Sequence, residues 1–260
     1  MIDGYSLLIA AVCGALIGSF LNVCIYRLPR RESIVWPGSH CPSCGAAIAW
    51  YDNVPVLSYL WLLGCCRKCA APISLRYPVV EAANAAGYVI ILFTFGMNAT
   101  AILYCIFVSA LLVVTGTDLT HKIIPNVVTL PGIVLGLLGS ATFLPIGPVN
   151  ALLGILVGGG ILWALAWASP YLFGKEGMGG GDIKLLAMVG AFLGWKPVLL
   201  TIMIGSLTGS LIGISLIAFQ FLKRDEYIPF GPFLVFGALV SMFFGQPLLD
   251  WYQHFVNPSF

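Results

Sequence analysis

The stretch Lys175-Glu176-Gly177-Met178-Gly179-Gly180-Gly181-Asp182-Ile183-Lys184-Leu185 ends a glycine run on a carboxylate and then opens an apolar segment. A charged side chain within a membrane segment costs about 3 kcal/mol even on lenient scales, so such a residue is a functional candidate by default. A second carboxylate stands in a similar setting, in Thr117-Asp118-Leu119-Thr120-His121-Lys122-Ile123-Ile124-Pro125-Asn126. Around both, the chain avoids charge: of 260 residues 60% are apolar and 8% charged, with a mean hydropathy of +0.99. Soluble domains are about 25% charged, so this composition specifies a polytopic, all-α membrane bundle. The net charge of +2 is too small to suggest a nucleic-acid partner, and no basic block alternates with aromatics.

Apolar windows of about 20 residues mark the spans. They fall near 5–26, 79–97, 100–117, 124–143, 149–170, 183–195, 197–222 and 229–250, about eight in all. The sixth is short, and either a tilt or an interruption at Gly190 or Gly194 would explain it. Residues 5–26 have no basic residue before them and are followed by Arg27, Arg30 and Arg31, the reverse of a cleavable signal peptide. They read as a retained first span. Gly158-Gly159-Gly160 lies inside a span, where small residues permit close helix packing.

Basic residues set the orientation. If the first span ends at the cytoplasm, Arg27, Arg30, Arg31, Arg67, Lys68, Arg76, Lys122, Lys175, Lys184, Lys223 and Arg224 all fall on that face. Only Lys196 of the 12 basic residues falls outside. The same assignment puts both aspartates and the long polar connection 27–78 on the cytoplasmic face. The organisation expected is a first span at 1–26, a small loop domain at 27–78 and a membrane domain at 79–260.

Within the loop, Cys41-Pro42-Ser43-Cys44-Gly45 and Cys66-Arg67-Lys68-Cys69 are two CxxC pairs separated by 21 residues. That is the spacing of a zinc ribbon or knuckle, each pair supplying two thiolates from a tight turn to a tetrahedral shell. Two disulfides or four idle thiols would be the alternatives, and a cytoplasmic location disfavours the disulfides. A closed four-cysteine site holds structure rather than catalysing. Cys65 adjoins the second pair, but the spacing favours Cys66. Cys13, Cys24 and Cys105 read as small packing residues. Glu81, just inside the second span, is either a partner for a boundary base such as Arg76 or a functional group facing the loop.

Asp118 closes the third span before a short turn, and Pro125 resets the chain. Asp182 follows three glycines, which let a substrate backbone approach closely. Hydrolysis by paired carboxylates needs one ionised group to activate water and one protonated group to donate to the carbonyl oxygen. The competing reading makes both aspartates helix-end residues bonded to backbone amides or to Lys122 and Lys184. His121 has no second histidine near it in sequence, the others being His40 and His254, so a metal at the aspartates is not expected. No GxSxG or phosphate loop is present.

Taken together these residues resemble the type IV prepilin peptidases, or leader peptidase/N-methyltransferases, membrane aspartic proteases of the GxGD type. The resemblance covers nearly the whole chain. It rests on Gly18-Ser19-Phe20-Leu21-Asn22-Val23, Arg27-Leu28-Pro29, the four spaced cysteines, Asp118 with Ile124-Pro125-Asn126, Gly179-x-Gly181-Asp182-x-Lys184-Leu185, and Pro229-Phe230-Gly231-Pro232. It implies a bacterial inner-membrane enzyme that cleaves the leader of a type IV prepilin or type II secretion pseudopilin after a glycine at the cytoplasmic boundary. Asp118 and Asp182 would share the acid and base work. Cys41, Cys44, Cys66 and Cys69 would hold structural zinc. The cysteine domain further implies methylation of the new amino terminus from S-adenosylmethionine, and Glu81, in Tyr77-Pro78-x2-Glu81, resembles a glutamate of that methyl-transfer region. The apolar substrate would lie in the membrane with its scissile bond at the boundary, and its basic leader would need acidic or backbone acceptors; Glu176, Asp225 and Glu226 lie on the predicted face, where the plainer reading makes them ordinary loop charges.

Two readings from other classes compete. A proton-coupled transporter with a regulatory zinc loop should show repeated halves and broken helices at mid-membrane, and no repeat relates 1–130 to 131–260. An assembly scaffold would leave the paired aspartates without a role.

Overall fold

The computed structural model describes residues 3–173, 179–221 and 228–256. Among these the chain is helical, with two isolated β-bridges and no strand. Among the described residues six helices are long and apolar enough to cross a membrane, which makes this a multi-pass membrane protein. Lys175, Glu176, Gly177 and Met178 of the glycine stretch, together with Lys223, Arg224, Asp225 and Glu226, lie outside the described residues.

The chain divides into two compact units, Met1–Thr117 and Asp118–Phe260. The first contains α1 (Gly4–Arg27), α2 (Leu57–Trp61), α3 (Arg76–Phe95) and most of α4 (Ala99–His121). Without a hydrophobic drive between lipid-solvated helices, close backbone approach and buried hydrogen bonds hold them together. At Gly14 a Cβ would lie 2.7 Å from the Ala85 Cα, and at Gly18 2.7 Å from the Glu81 Cα, so α1 and α3 meet backbone to backbone. Asn84 fixes the crossing: its amide donates to the Gly14 carbonyl at 2.8 Å and its oxygen accepts from Ser109 at 2.9 Å. Asn22 donates to the Tyr77 carbonyl at 3.0 Å. Cys24 and Cys105 are buried among these helices while Cys13 is exposed.

Beyond α1 the connection is organised by Arg27, which is buried and donates to the Ser33 and Pro37 carbonyls at 2.8 and 2.7 Å. Two short hairpin-like knuckles follow, marked by the bridges His40–Ala47 and Cys65–Pro72.

The second unit holds α5 (Asn126–Thr142), α6 (Gly147–Phe173), α7 (Gly180–Leu193), α8 (Trp195–Ala218) and α9 (Gly231–Val256). Its core is α7. Only 14 residues long, it is enclosed by the helices around it: Leu185, Leu186, Met188, Val189 and Ala191 have no exposed surface. Glycines on the surrounding helices make the room. Gly154 of α6 and Gly190 of α7 face each other so closely that a Cβ on either would stand within 2.4 Å of the other's backbone. Gly158 admits the Leu186 carbonyl, Gly132 the Met188 side chain and Gly136 the Phe192 ring. Gly160, by contrast, meets nothing within 4 Å.

The expected sixth span is thereby corrected. Gly190 does not interrupt it; the helix runs through and uses that glycine to touch α6. Gly194, at φ 85°, ends it in a conformation that favours glycine. Its shortness follows from its surroundings, since a helix covered by protein has no hydrocarbon thickness to match.

Candidate functional site

Asp118 belongs to the last turn of α4 and Asp182 to the first turn of α7. The chain turns between α4 and α5 on two fixed points. Lys122 adopts a left-handed φ of 55° and donates its N–H to the Asp118 carbonyl at 2.8 Å, which stops the helix. Pro125 then caps α5, its carbonyl accepting the Val128 and Thr129 amides at 3.1 and 3.2 Å. Ile124 lies between these points, and Gly181 packs on it.

That contact explains the second glycine of Gly179-x-Gly181-Asp182. A Cβ at Gly181 would stand 2.8 Å from the Ile124 Cβ, so only glycine lets the start of α7 lie against the Asp118 turn. A second tie is the Lys184 ammonium, which donates to the Asn126 amide oxygen at 2.8 Å. The result is a cavity of about 260 Å³ lined by Asp118, Lys122, Ile123, Ile124, Asn126, Gly179, Gly180, Gly181 and Asp182. Both aspartates are 4% exposed. The Asp118 Oδ2 accepts the Gly231 N–H at 2.9 Å, whereas the Asp182 Oδ1 has no hydrogen-bond partner among the described residues.

Two carboxyls from different helices thus converge on one small polar cavity in an apolar unit. Acid–base hydrolysis of an amide demands one ionised and one protonated carboxyl at such a place. Lys184 was expected as a possible partner of an aspartate; it is bonded to Asn126 instead. A backbone amide was among the partners expected for Asp118, but that it would be the one of Gly231 leaves no direct mark in sequence. Its one trace was the short Pro229-Phe230-Gly231-Pro232 block.

The four cysteines form a separate site in the loop. Their sulfur atoms all lie within 4.8 Å of one another, and Cys41 and Cys69 Sγ are 3.8 Å apart. A zinc tetrahedron with about 2.3 Å bonds has edges of about 3.8 Å, so the cluster can take zinc. The two knuckles repeat one design. Cys41 N–H donates to the Ala46 carbonyl and Cys66 N–H to the Ala71 carbonyl, both at 2.9 Å. The residue after each second cysteine is left-handed, Gly45 at 70° and Ala70 at 55°.

Amides of Cys44 and Ser43 pull the Cys41 thiol down to about 6, and those of Cys69 and Lys68 also lower Cys66. The Ala71 amide pulls on Cys69, but desolvation and its hydrogen bonds with Cys44, Cys66 and Cys41 outweigh it and push that thiol up to about 12. Several thiolates this close repel one another, and a bound dication reverses that balance. Arg67 braces the second knuckle, its guanidinium donating to both Asp52 oxygens at 2.6 and 2.8 Å.

Glu81 lies on α3 and is buried. Its carboxylate accepts the Val56 N–H at 2.7 Å, so it faces the loop and holds the segment leading into α2. It belongs to neither of the sites above.

The sequence model described as "Bacterial Peptidase A24 N-terminal domain" matches residues 12–95, and the one described as "Type IV leader peptidase family" matches residues 105–214. A protein of Aeromonas salmonicida named prepilin leader peptidase/N-methyltransferase is 36% identical over 91% of this chain and 90% of its own. Proteins of the same name from Xanthomonas campestris and Pseudomonas aeruginosa are 38% and 37% identical, covering 95% and 94% of this chain and 94% and 92% of their own. No solved structure matches significantly. The transporter reading gains no support from these relatives.

Proposed function

Because the chain belongs to the type IV leader peptidase family, we propose that it is a bifunctional enzyme of the bacterial inner membrane, with its chemistry at the cytoplasmic boundary. It cleaves the leader from type IV prepilins or pseudopilins after a glycine and methylates the amino terminus so formed. Asp118 and Asp182 are the catalytic carboxyls. The observation that carries this reading is their convergence, from α4 and α7, on one cavity enclosed by apolar helices. The substrate is itself an apolar helix, so it arrives through the lipid with its scissile bond at the boundary, and the glycine-walled side of the cavity leaves room for a peptide backbone.

Zinc fits Cys41, Cys44, Cys66 and Cys69, where it joins the two knuckles. The closed sulfur set leaves no position for water, so its part is structural. S-adenosylmethionine supplies an activated methyl on a sulfonium cation. A buried carboxylate suits such a cation, and Glu81, already facing the loop, is the residue we assign to that region.

The test is cleavage of a prepilin-like peptide in detergent by the wild type, Asp118→Asn and Asp182→Asn. Shortened product from the wild type and at least a thousandfold less from either variant, all equally folded, supports the dyad. Normal cutting by both variants overturns it. Glu81→Gln should lose methyl transfer to a pre-cleaved peptide and keep cleavage.

A further inference from the structure

The two aspartates lie in unlike surroundings. Asp118 Oδ2 is met by the N–H of Gly231 at 2.9 Å. Gly231 is the first residue of α9, where amides have no carbonyl of their own helix to bond and the helix presents partial positive charge. A Cβ on Gly231 would stand 2.6 Å from Asp118 Oδ2 and 3.2 Å from Cγ. Glycine is needed there for space, because only a bare Cα lets the amide reach the carboxyl. Among the described residues Asp182 has no such donor at its Oδ1. It is 4% exposed and lines the cavity.

A backbone N–H can only donate. The Asp118 oxygen that it meets is therefore fixed as an acceptor, and the end of α9 favours a negative charge on it. The Asp182 Oδ1, without a partner among the described residues, is open to whatever enters the cavity, and a protonated carboxyl there can donate its O–H to an entering peptide carbonyl.

Resting on the dyad reading above, we propose that the carboxyls have fixed and unequal roles. Asp118 is the ionised base that takes the proton of the attacking water, Asp182 is the protonated acid that donates to the scissile carbonyl oxygen, and Gly231 is the positioning residue that sets this asymmetry. Water gives one proton to Asp118 as its oxygen bonds the carbonyl carbon. The carbonyl π pair moves to oxygen, which takes the Asp182 proton to give a gem-diol. The Asp118 proton then passes to the departing nitrogen as the C–N bond breaks, and Asp182 recovers a hydroxyl proton. The enzyme ends as it began, and one water is consumed.

The experiment compares kcat and KM for cleavage by the full-length wild type, Gly231→Ala, Gly209→Ala, Asp118→Asn and Asp182→Asn in detergent. Methyl transfer to a pre-cleaved peptide and melting temperature report folding. Gly209→Ala is the packing control: its Cβ meets the Phe233 ring of α9 at 3.3 Å without touching Asp118. Gly231→Ala should lower kcat about 100-fold, the cost of a small misplacement of a reacting group, with KM within twofold and methyl transfer kept. Gly209→Ala should keep kcat.

Asp182→Asn should cut at least tenfold faster than Asp118→Asn, because a carboxamide still donates to the carbonyl oxygen but cannot accept a proton from water. Wild-type kcat in Gly231→Ala, or equal or reversed residual rates in the two Asn variants, overturns the assignment and leaves the dyad standing. Normal cutting by both Asn variants fells the dyad itself. If Gly231→Ala also loses methyl transfer and melts early, the order of the Asn variants alone decides.

Discussion

Gly181 and Ile124 touch so closely that a single methyl on the glycine would stand 2.8 Å from the isoleucine Cβ. This contact joins the turn after Asp118 to the helix that carries Asp182, and the spacing of the two carboxyls depends on it. Gly181→Ala should therefore cut the rate of leader cleavage about 100-fold, as expected for a displacement of about 1 Å. Gly160→Ala, whose Cβ meets nothing within 4 Å and which does not line the cavity, should leave it unchanged. Initial rates with a fluorogenic leader peptide would separate the two, and equal effects would show that the Ile124 contact is not what matters.

Removing a thiol should remove the metal. Cys44→Ser or Cys69→Ser should lower bound zinc from one per chain to near zero by elemental analysis, since three thiolates leave a shell open to water and chelator. Cleavage of the leader should persist at reduced stability, because Asp118, Asp182 and the other residues lining their cavity belong to the second unit. Loss of cleavage in a folded, metal-free variant would mean that the loop contributes to the peptidase reaction.

The two knuckles are not equally comfortable. Gly45 and Ala70 occupy equivalent left-handed positions, and a left-handed alanine costs about 1–2 kcal/mol. Ala70→Gly should recover part of this, up to about 1 kcal/mol net of the added freedom of the unfolded chain, and Gly45→Ala should lose a comparable amount. Zinc retention against increasing chelator, read as a midpoint, would follow both.

Asp52 supplies a pH dependence whose sign is fixed. Arg67 beside it holds its carboxyl below the usual range. The brace is therefore complete at any pH above the ordinary carboxylate value and is lost only as pH falls through the lower, folded one. Asp52→Asn should speed zinc extraction a few-fold at pH 5 to 8, by the same factor throughout. A factor that varied between pH 5 and 8 would point to another titrating group.

Some of this was legible before any coordinates. In so apolar a chain a carboxylate has to justify itself, so Asp118 and Asp182 stood out, and the CxxC spacing picked Cys66 over Cys65 for the cluster the structure brings together. Glu81 was left between a base partner and a loop-facing group; it meets the Val56 amide. The roles of Gly181, Gly190 and Gly231 were hidden for one physical reason. A glycine chosen for what it lets approach has no side chain to announce it, and its neighbour in space, Ile124, Gly154 or Asp118, is far away in sequence. The burial of α7 was hidden too, because lipid-facing and protein-facing apolar residues read alike.

The meeting of Gly154 and Gly190 has a consequence for how the enzyme tolerates its surroundings. Where main chain rests on main chain there are no rotamers to re-sort, so the depth of α7 is set like a keyed shaft. Because α7 is sheathed by its neighbours, a thicker or thinner bilayer tilts the outer helices without drawing on it. Cleavage should hold nearly constant in vesicles of short and long acyl chains, while larger residues at either glycine would unseat the shaft in all of them.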